Sequence, residues 1–197
     1  MKKNNVKEMT IEEHQKVKLS ELTPGDNFKD STGREWILLE VSNERAMCIT
    51  KDFVLENTRF DGKTNNFAKS SLYHILQKNI LPGILDAFGT ENVLEFDTDL
   101  TSVDNLDDYG TVTGKISLLT DRQYREYDHL INPVNDTKKY KVNDWWWLAT
   151  PLSTPKREIS LSVRCVLPHG FLGSIECGNH FGVRPFCIFS SNIFVYK

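Results

Sequence analysis

The chain has 197 residues, of which 39% are hydrophobic and 11% aromatic, so it can bury a core without disulfides. Its 24 basic and 27 acidic residues give a formal charge of −3, which lacks the basic excess typical of nucleic-acid-binding proteins. No apolar run resembles a signal peptide or approaches the ~20 residues of a membrane span, which predicts a cytoplasmic chain without a membrane or nucleic-acid partner.

The first part of the chain predicts an arm followed by strands. Residues 1–17 are polar and compatible with a helix, so we expect a flexible arm or one short helix before a single domain over residues 18–197. Residues 35–41 and 46–50 are apolar runs rich in strand-forming residues, separated by a polar break. This pattern predicts a β-hairpin.

Two segments have helical periodicity. In residues 67–80, Leu72, Ile75, Leu76 and Ile80 recur at helical spacing, and Pro82 is expected to end this helix, with residues 84–88 as a candidate for one more turn. Between the two helical segments, residues 90–114 are acidic and irregular, with a short strand expected at residues 93–96, and residues 116–119 are a candidate buried strand. The second helix is expected to begin at Thr120 and to carry Tyr124, Tyr127 and Leu130 on one stripe.

The last third of the chain is rich in strand patterns. The tryptophan run at residues 145–147 begins a strand, and residues 159–167 alternate between apolar and polar side chains, which predicts a half-buried strand. Residues 169–170 are a hairpin-turn candidate, and residues 182–189 close the sheet. The chain is therefore expected to be an α+β protein with a mainly antiparallel sheet and two or three helices.

Short motifs in this last third occur in a characteristic order. They are Trp146–Pro151, then Val163–Val166 with Gly170 shortly after it, and then Gly182–Pro185. In this order they resemble the pattern of DUF6273, a family of proteins from gut Firmicutes and their phages. Upstream, residues 68–72 and 118–124 resemble a helix start and a Leu-Leu-containing segment of that family, so the resemblance covers about residues 19–189.

The resemblance implies a fold but no established activity. The C-terminal pattern is similar to C-type-lectin-like folds, which implies a lectin-like β core over residues 145–189. That superfold includes retroelement variable proteins, which bind partners, and formylglycine-generating enzymes, which do chemistry, so the fold alone does not choose between them. The order Asn143-Asp144-Trp145 does not match the calcium–sugar motifs of true C-type lectins.

We expect a non-catalytic module that binds a protein partner through loops and aromatic side chains on a rigid sheet. Recognition usually lies on loops, and a mixture of Ser, Asn and aromatic residues is typical of binding surfaces. The residues expected to contact the partner are Trp146, Ser160, Ser162, His169, Phe171, Asn179, His180 and Phe181.

A second group of residues is expected to be structural. Adjacent strand residues face opposite sides of a sheet, so Trp147 is expected in the core when Trp146 faces a partner. Arginines inside apolar strands need carboxylate or carbonyl partners, because an unpaired buried guanidinium is costly. The residues in this group are Trp147, Arg164, Gly182, Arg184 and Pro185.

Two other functions remain open at this stage. One is a phage-encoded inhibitor of a host factor, such as a defence nuclease, that would use the acidic stretch at residues 97–108. The other is a thiol or metal-dependent enzyme of the formylglycine-generating type, with Cys177 and His180 as a thiol–imidazole pair. Cys165 and His169 could complete a zinc set, but simple burial of the cysteines is favoured, so no metal, cofactor or catalytic residue is expected.

Overall fold

The computed structural model describes residues 15–132 and 145–197. The strands are β1 Lys16–Lys18, β2 Asn27–Lys29, β3 Glu35–Val41, β4 Arg45–Thr50, β5 Leu55–Arg59, β6 Val93–Leu94, β7 Phe96–Asp99, β8 Thr111–Gly114, β9 Trp146–Pro151, β10 Ser162–Val166, β11 Leu172–Glu176, β12 His180–Val183, β13 Phe186–Ser190 and β14 Phe194–Tyr196. The α-helices are α1 Ser71–Ile75, α2 Leu81–Phe88 and α3 Asp121–Ile131. Short 3-10 segments lie at Leu19–Glu21, Phe67–Lys69, Pro155–Arg157 and Pro168–Gly170.

The fold is α+β with mainly antiparallel sheets, as the sequence predicts. The first sheet has seven strands in the order β1-β14-β2-β3-β4-β13-β6, so both ends of the described chain meet at one edge. The second sheet has five strands in the order β11-β10-β9-β12-β5, in which β12 pairs parallel to β9. Strands β7 and β8 form a separate ribbon.

The first half of the chain largely follows its sequence pattern. The hairpin predicted at residues 35–50 is present as β3 and β4. Strand β1 begins at Lys16, inside the segment assigned to the arm, because it pairs with β14. The rest of that predicted arm, residues 1–14, lies outside the described residues.

The turn between β2 and β3 is organised by the buried carboxylate of Asp30. Its Oδ1 accepts hydrogen bonds from the backbone N–H of Thr32 at 2.9 Å and of Arg34 at 3.1 Å. Its Oδ2 accepts one from the indole N–H of the fully buried Trp36 at 3.1 Å. The carboxylate of Asp30 therefore accepts hydrogen bonds both from the backbone of the turn and from a core tryptophan.

Pro82 does not end the first helix, which corrects the expectation from the sequence. Helix α1 begins after Ser70, whose side chain accepts from the N–H of Tyr73, and it passes through a π-helical segment at Leu76–Ile80 into α2. Pro82 lies in the first turn of α2, where its missing N–H is not needed. The helical stretch therefore continues to Phe88.

Helix α3 is present where the sequence predicts it. Thr120 caps its first turn in a reciprocal capping box with Gln123. Tyr124, Tyr127 and Ile131 are buried on its inner face. The tyrosine stripe thus packs as its spacing indicates.

Two predictions for the middle of the chain need correction. The short strand expected at residues 93–96 is present in part as β6, but the rest of residues 90–114 is not irregular throughout, because it contains the β7–β8 ribbon. Residues 116–119 are buried but form no strand, since Ser117 makes only an isolated bridge to Phe186.

Both faces of the second sheet are covered. On one face Trp147, Ala149, Val163 and Cys165 join a core that also contains Trp36 and Phe189 of the first sheet and its helices. On the other face Trp146, Leu148 and Val166 join a second core built around α3. All six residues of β9 are consequently buried.

Gly182 allows β12 to approach the rest of the second sheet closely. A Cβ atom at this position would lie 2.5 Å from the ring of Phe53, which is closer than such atoms can approach. The backbone N–H of Gly182 donates to the carbonyl of Trp145 at 2.8 Å.

No helix in residues 15–132 and 145–197 is long and apolar enough to span a membrane.

Candidate partner-binding site

The hairpin tip, defined as residues 167–171, connects β10 and β11. The N–H of Leu167 donates to the carbonyl of Phe171 at 2.7 Å, and the N–H of Gly170 donates to the carbonyl of Leu167 at 3.1 Å. His169 and Gly170 both have left-handed backbone conformations, with φ of 69° and 82°. A non-glycine residue holds such a conformation only when its surroundings determine it, so this tip is a tightly closed loop.

The polar end of α3 holds the hairpin tip in place. The hydroxyl of Tyr124 lies 2.7 Å from the carbonyl oxygen of Gly170 and 2.7 Å from Oδ1 of Asp128, and it accepts from the amide of Asn132 at 2.8 Å. The amide of Asn132 also donates to Asp128 at 2.9 Å. Burial, followed by the hydrogen bond and the charge of Asp128, raises the pKa of Tyr124 well above its usual range, so the hydroxyl keeps its proton.

Phe171 projects from this tip into solvent. It is 68% exposed, the largest exposed fraction among the large apolar side chains of the described residues. The next residue, Leu172, packs against the α3 core, so the backbone turns one side chain outward and the next inward. The tip therefore displays an aromatic ring on a fixed backbone, the arrangement that is typical of an interface anchor.

We predict that Tyr124→Phe loosens the hairpin tip without unfolding the protein. The variant removes the one hydroxyl proton that lies between the carboxylate of Asp128 and the carbonyl of Gly170, and it removes the oxygen that accepts from Asn132, which costs about 1–2 kcal/mol. Because 1.4 kcal/mol is a factor of ten, hydrogen exchange at the amide groups of Leu167 and Gly170 should become about tenfold faster. Hydrogen-exchange mass spectrometry of this segment measures the change.

Tyr127→Phe is the matched control for this prediction. Tyr127 lies on the same helix, but its hydroxyl donates to Glu40 at 2.5 Å and does not reach the hairpin tip. The control should leave exchange at the tip unchanged. Equal protection of the tip in wild-type protein and Tyr124→Phe would show that the Tyr124 contact does not fix the loop.

The residues predicted to contact a partner do not form one patch. His169 and Phe171 lie at the loop end of the β10–β11 hairpin, whereas Ser162 pairs with Glu176 at its other end. The two ends are four residues apart along β10, or about 13 Å. Asn179, whose amide donates to the carbonyl of Glu176 at 3.1 Å, belongs with the second end. His169, Asn179 and His180 are exposed, as expected.

Trp146 is buried, so the expectation that it faces a partner is wrong. Its side chain is 3% exposed and packs edge-on against Tyr124, with ring centroids 5.5 Å apart. The guanidinium of Arg184 lies over the indole ring of Trp146, 5.0 Å from its centroid. The alternation of the tryptophan run was right, but α3 covers the face that was assumed to be open.

Three further predicted contact residues are only half-buried and carry internal contacts. Phe181 packs on the rings of Trp145 at 5.1 Å and Trp147 at 4.6 Å, so it is not the freely exposed ring that was expected. The carbonyls of Ser160 and Ser162 accept from Asn65, each at 2.9 Å. By contrast, Ile159 and Leu161 are 44% and 45% exposed, because β10 begins only at Ser162.

Arg164, in β10, and Arg184, which lies between β12 and β13, both have polar partners within the chain. Arg164 donates from Nε to Asp121 at 2.6 Å and from Nη1 to Ser174 at 2.8 Å, which joins β10 to the start of α3 and to β11. Arg184 donates from Nε to the carbonyl of Thr50 at 2.9 Å. Burial lowers the pKa of Arg184 to about 10, so it remains charged at neutral pH.

Trp147, in β9, and Pro185, between β12 and β13, are also buried. Trp147 is fully buried and donates from its indole N–H to the carbonyl of Thr58 at 2.8 Å. The carbonyl of Pro185 accepts from the N–H of Thr50 at 3.0 Å. These contacts tie β9 and the closing strands to their neighbours.

Part of the acidic stretch at residues 97–108 is neutralised within the chain. Asp104 accepts from Ser102 and Ser153 and lies 3.4 Å from Arg157, while Asp108 accepts from Thr154 and pairs with Lys156. The hydroxyl of Ser102 lowers the pKa of Asp104, and Lys156 lowers the pKa of Asp108. Through these hydrogen bonds and ion pairs, the two aspartates hold the acidic loop against residues 153–157.

The cysteines lack the properties of a nucleophile. Cys48, Cys165, Cys177 and Cys187 are free and buried. Burial raises the pKa of Cys165 to about 11 and also raises that of Cys177, which disfavours the reactive thiolate. No hydrogen bond joins Cys177 to His180, and the described ranges contain no group of three or more residues arranged to hold a metal ion.

Sequence reasoning did not find the residues that support the hairpin tip. Tyr124, Asp128 and Asn132 fall on a helix stripe whose spacing indicates core packing, and only the fold brings them to Gly170, about 40 residues later.

No family model, no curated protein and no solved structure matches the chain.

Proposed function

We propose that the chain is a non-catalytic binding module whose hairpin tip recognises a protein partner. The observation that carries the proposal is Phe171, 68% exposed on a loop that Tyr124 fixes to α3. A rigid aromatic side chain loses little conformational entropy on binding, which is why such residues are frequent interface anchors. His169, exposed on the same tip, supplies a polar group beside the ring.

The partner is proposed to be a protein because the ring of Phe171 is largely exposed at the end of a hairpin. A projecting hairpin bearing one aromatic ring fits a pocket on another macromolecule, whereas small ligands usually need a concave site. The DUF6273 and C-type-lectin-like resemblances support this proposal, since their superfold includes proteins that bind partners through loops. The proposed site of action is the cytoplasm.

The test begins with affinity capture on immobilised wild-type protein from cells in which the chain is made, followed by purification of the captured protein. Its affinity is then measured for wild type and Phe171→Ser by titration calorimetry. We expect Phe171→Ser to weaken binding by about 2 kcal/mol, or roughly 30-fold, as for truncation of an interface anchor. The melting temperature should not change, because the side chain is exposed.

Val103→Ser is the matched control. Val103 is 48% exposed on the loop between β7 and β8 and has no contact with the hairpin tip, so its removal should change the affinity less than twofold. If Phe171→Ser binds the captured protein as tightly as wild type does, the hairpin tip is not the binding site.

A further inference from the structure

The first sheet carries a row of lysines and aromatic rings at the edge where both ends of the described chain meet. Lys16 pairs with Tyr196, Lys18 pairs with Phe194, and Tyr196 also pairs with Lys29 on its other side. Directly opposed residues of antiparallel strands place their side chains on the same face. These five side chains therefore share one face, called here the lysine–aromatic face.

The opposite face of the same strands is buried. Residues that alternate with the lysines and rings point into the core, as the period of a strand requires. They are Val17, Phe28 and Val195. The lysine–aromatic face is thus the outward side of a supported sheet, and its backbone is held by three paired strands.

Of the two rings on this face, that of Phe194 is exposed and that of Tyr196 is half-buried. Phe194 is 55% exposed. The ammonium of Lys16 lies 6.0 Å from the Phe194 centroid and 5.9 Å from the Tyr196 centroid, and that of Lys18 lies 5.9 Å from Phe194. These distances are at the outer limit of a cation–π contact, so a stacked ligand could displace the lysines at little cost.

The face also keeps positive charge. Within residues 15–132 and 145–197, no carboxylate lies within 4 Å of the ammonium of Lys16 or Lys18. Lys29 lies 3.8 Å from Glu35, which Lys51 approaches more closely at 2.7 Å. Glu35 is the cross-strand partner of Lys29, so its carboxylate belongs to this face and offsets part of the charge of Lys29. The positive charge of the face therefore comes mainly from Lys16 and Lys18.

We propose that the lysine–aromatic face binds single-stranded nucleic acid. Stacking platforms for single strands combine exposed aromatic rings with cations that contact the phosphates. An acidic peptide would engage the lysines but offers no flat π-surface for Phe194 and Tyr196, whereas unpaired bases do. The rings and the charges together thus favour a nucleic acid over an acidic protein segment.

The spacing of the groups fits such a strand. Lys16 and Lys18 are two residues apart along β1, or roughly 6.6 Å, and Lys16 and Lys29 are separated by two strand spacings, or roughly 9.6 Å. The rings of β14 lie between these cations. Bases stacked on β14 would therefore have ammonium groups on both sides for their phosphates.

Composition could not reveal this face. The formal charge of −3 describes the whole chain, whereas the face joins residues 16–18 to residues 194–196, which are far apart in sequence. Binding of a short strand depends on the local charge within about one Debye length, near 10 Å at 0.1 M salt. The overall charge is therefore compatible with local binding.

Fluorescence anisotropy with labelled oligouridine and oligothymidine of about twelve nucleotides tests the proposal. We expect binding that weakens with salt. Neutralisation of about three phosphates gives a log–log slope near −2, or roughly a 20-fold loss of affinity between about 50 and 200 mM salt. Phe194→Ala should weaken binding about tenfold, and Lys16→Glu with Lys18→Glu should weaken it further. The RNA and DNA arms identify the preferred strand.

The controls are an exposed apolar residue and exposed lysines elsewhere on the surface. Leu161→Ala matches Phe194→Ala, and Lys63→Glu with Lys78→Glu matches the double charge reversal; both should bind as wild type does. The proposal is overturned by no anisotropy change at about 100 μM protein and low salt. It is also overturned by unaltered binding of Phe194→Ala, or by tighter binding of a labelled oligoglutamate peptide.

Discussion

Replacing Trp147 by alanine is expected to lower the free energy of unfolding by about 3–5 kcal/mol. The indole is fully buried against the rings of Phe60, at 5.6 Å, and Phe181, at 4.6 Å. Its loss leaves a large cavity in the core and removes the donor to the Thr58 carbonyl. For a chain of this length, the melting temperature should fall by about 10 °C.

Trp145→Ala is the matched control for this prediction. Trp145 is only half-buried and contacts the ring of Phe181 at a tilt, with centroids 5.1 Å apart, so its removal should cost about 1 kcal/mol. Trp147→Phe keeps an aromatic ring but lacks the indole N–H group, so its loss of stability should lie between the losses for Trp147→Ala and Trp145→Ala. Urea unfolding followed by circular dichroism measures all three, and equal midpoints for Trp147→Ala and Trp145→Ala would contradict the assigned packing.

Asp30→Ala is expected to destabilise the protein by about 3 kcal/mol. The variant leaves the buried indole N–H of Trp36 and two turn amide groups, those of Thr32 and Arg34, without their acceptor. Each buried donor left unsatisfied costs about 1–3 kcal/mol, partly relieved where water can enter the turn. Thermal unfolding followed by calorimetry measures the loss.

A neighbouring residue supplies the control for the Asp30 prediction. Ser31 is exposed in the same turn and its hydroxyl donates only one solvent-exposed hydrogen bond, to the carbonyl of Ala87 at 3.2 Å, so Ser31→Ala should cost at most about 1 kcal/mol. Asp30→Asn should be intermediate, because one amide oxygen can still accept while the amide nitrogen faces the indole N–H. A loss for Asp30→Ala no larger than that for Ser31→Ala would show that the carboxylate does not organise the turn.

The fold could be predicted where local patterns decide it. The β3–β4 hairpin and α3 follow from apolar periodicity and from the capping pair of Thr120 and Gln123. Pro82 misled the prediction because proline is tolerated in the first turn of a helix, and a π-helical segment absorbs the change before it. Local sequence patterns therefore predict where helices and strands lie better than they predict where a helix ends.

The candidate sites depend on contacts between distant residues. Trp146 was expected to be exposed because strand alternation gives two faces, but it cannot reveal that α3 covers the second one. Likewise, the support of Gly170 by Tyr124 and the pairing of Lys16 with Tyr196 join segments that are far apart in the chain. Sequence patterns indicate which residues are apolar, whereas the topology decides which of them remain accessible.

Photo-cross-linking from position 171 tests most directly whether the hairpin tip binds a partner. A photoreactive amino acid is placed at Phe171 in one variant and at Val103 in another, and both are irradiated in cells that make the chain. We expect one discrete cross-linked protein from position 171 and none from position 103. A discrete adduct from position 103 with none from position 171 would contradict a binding role for this tip.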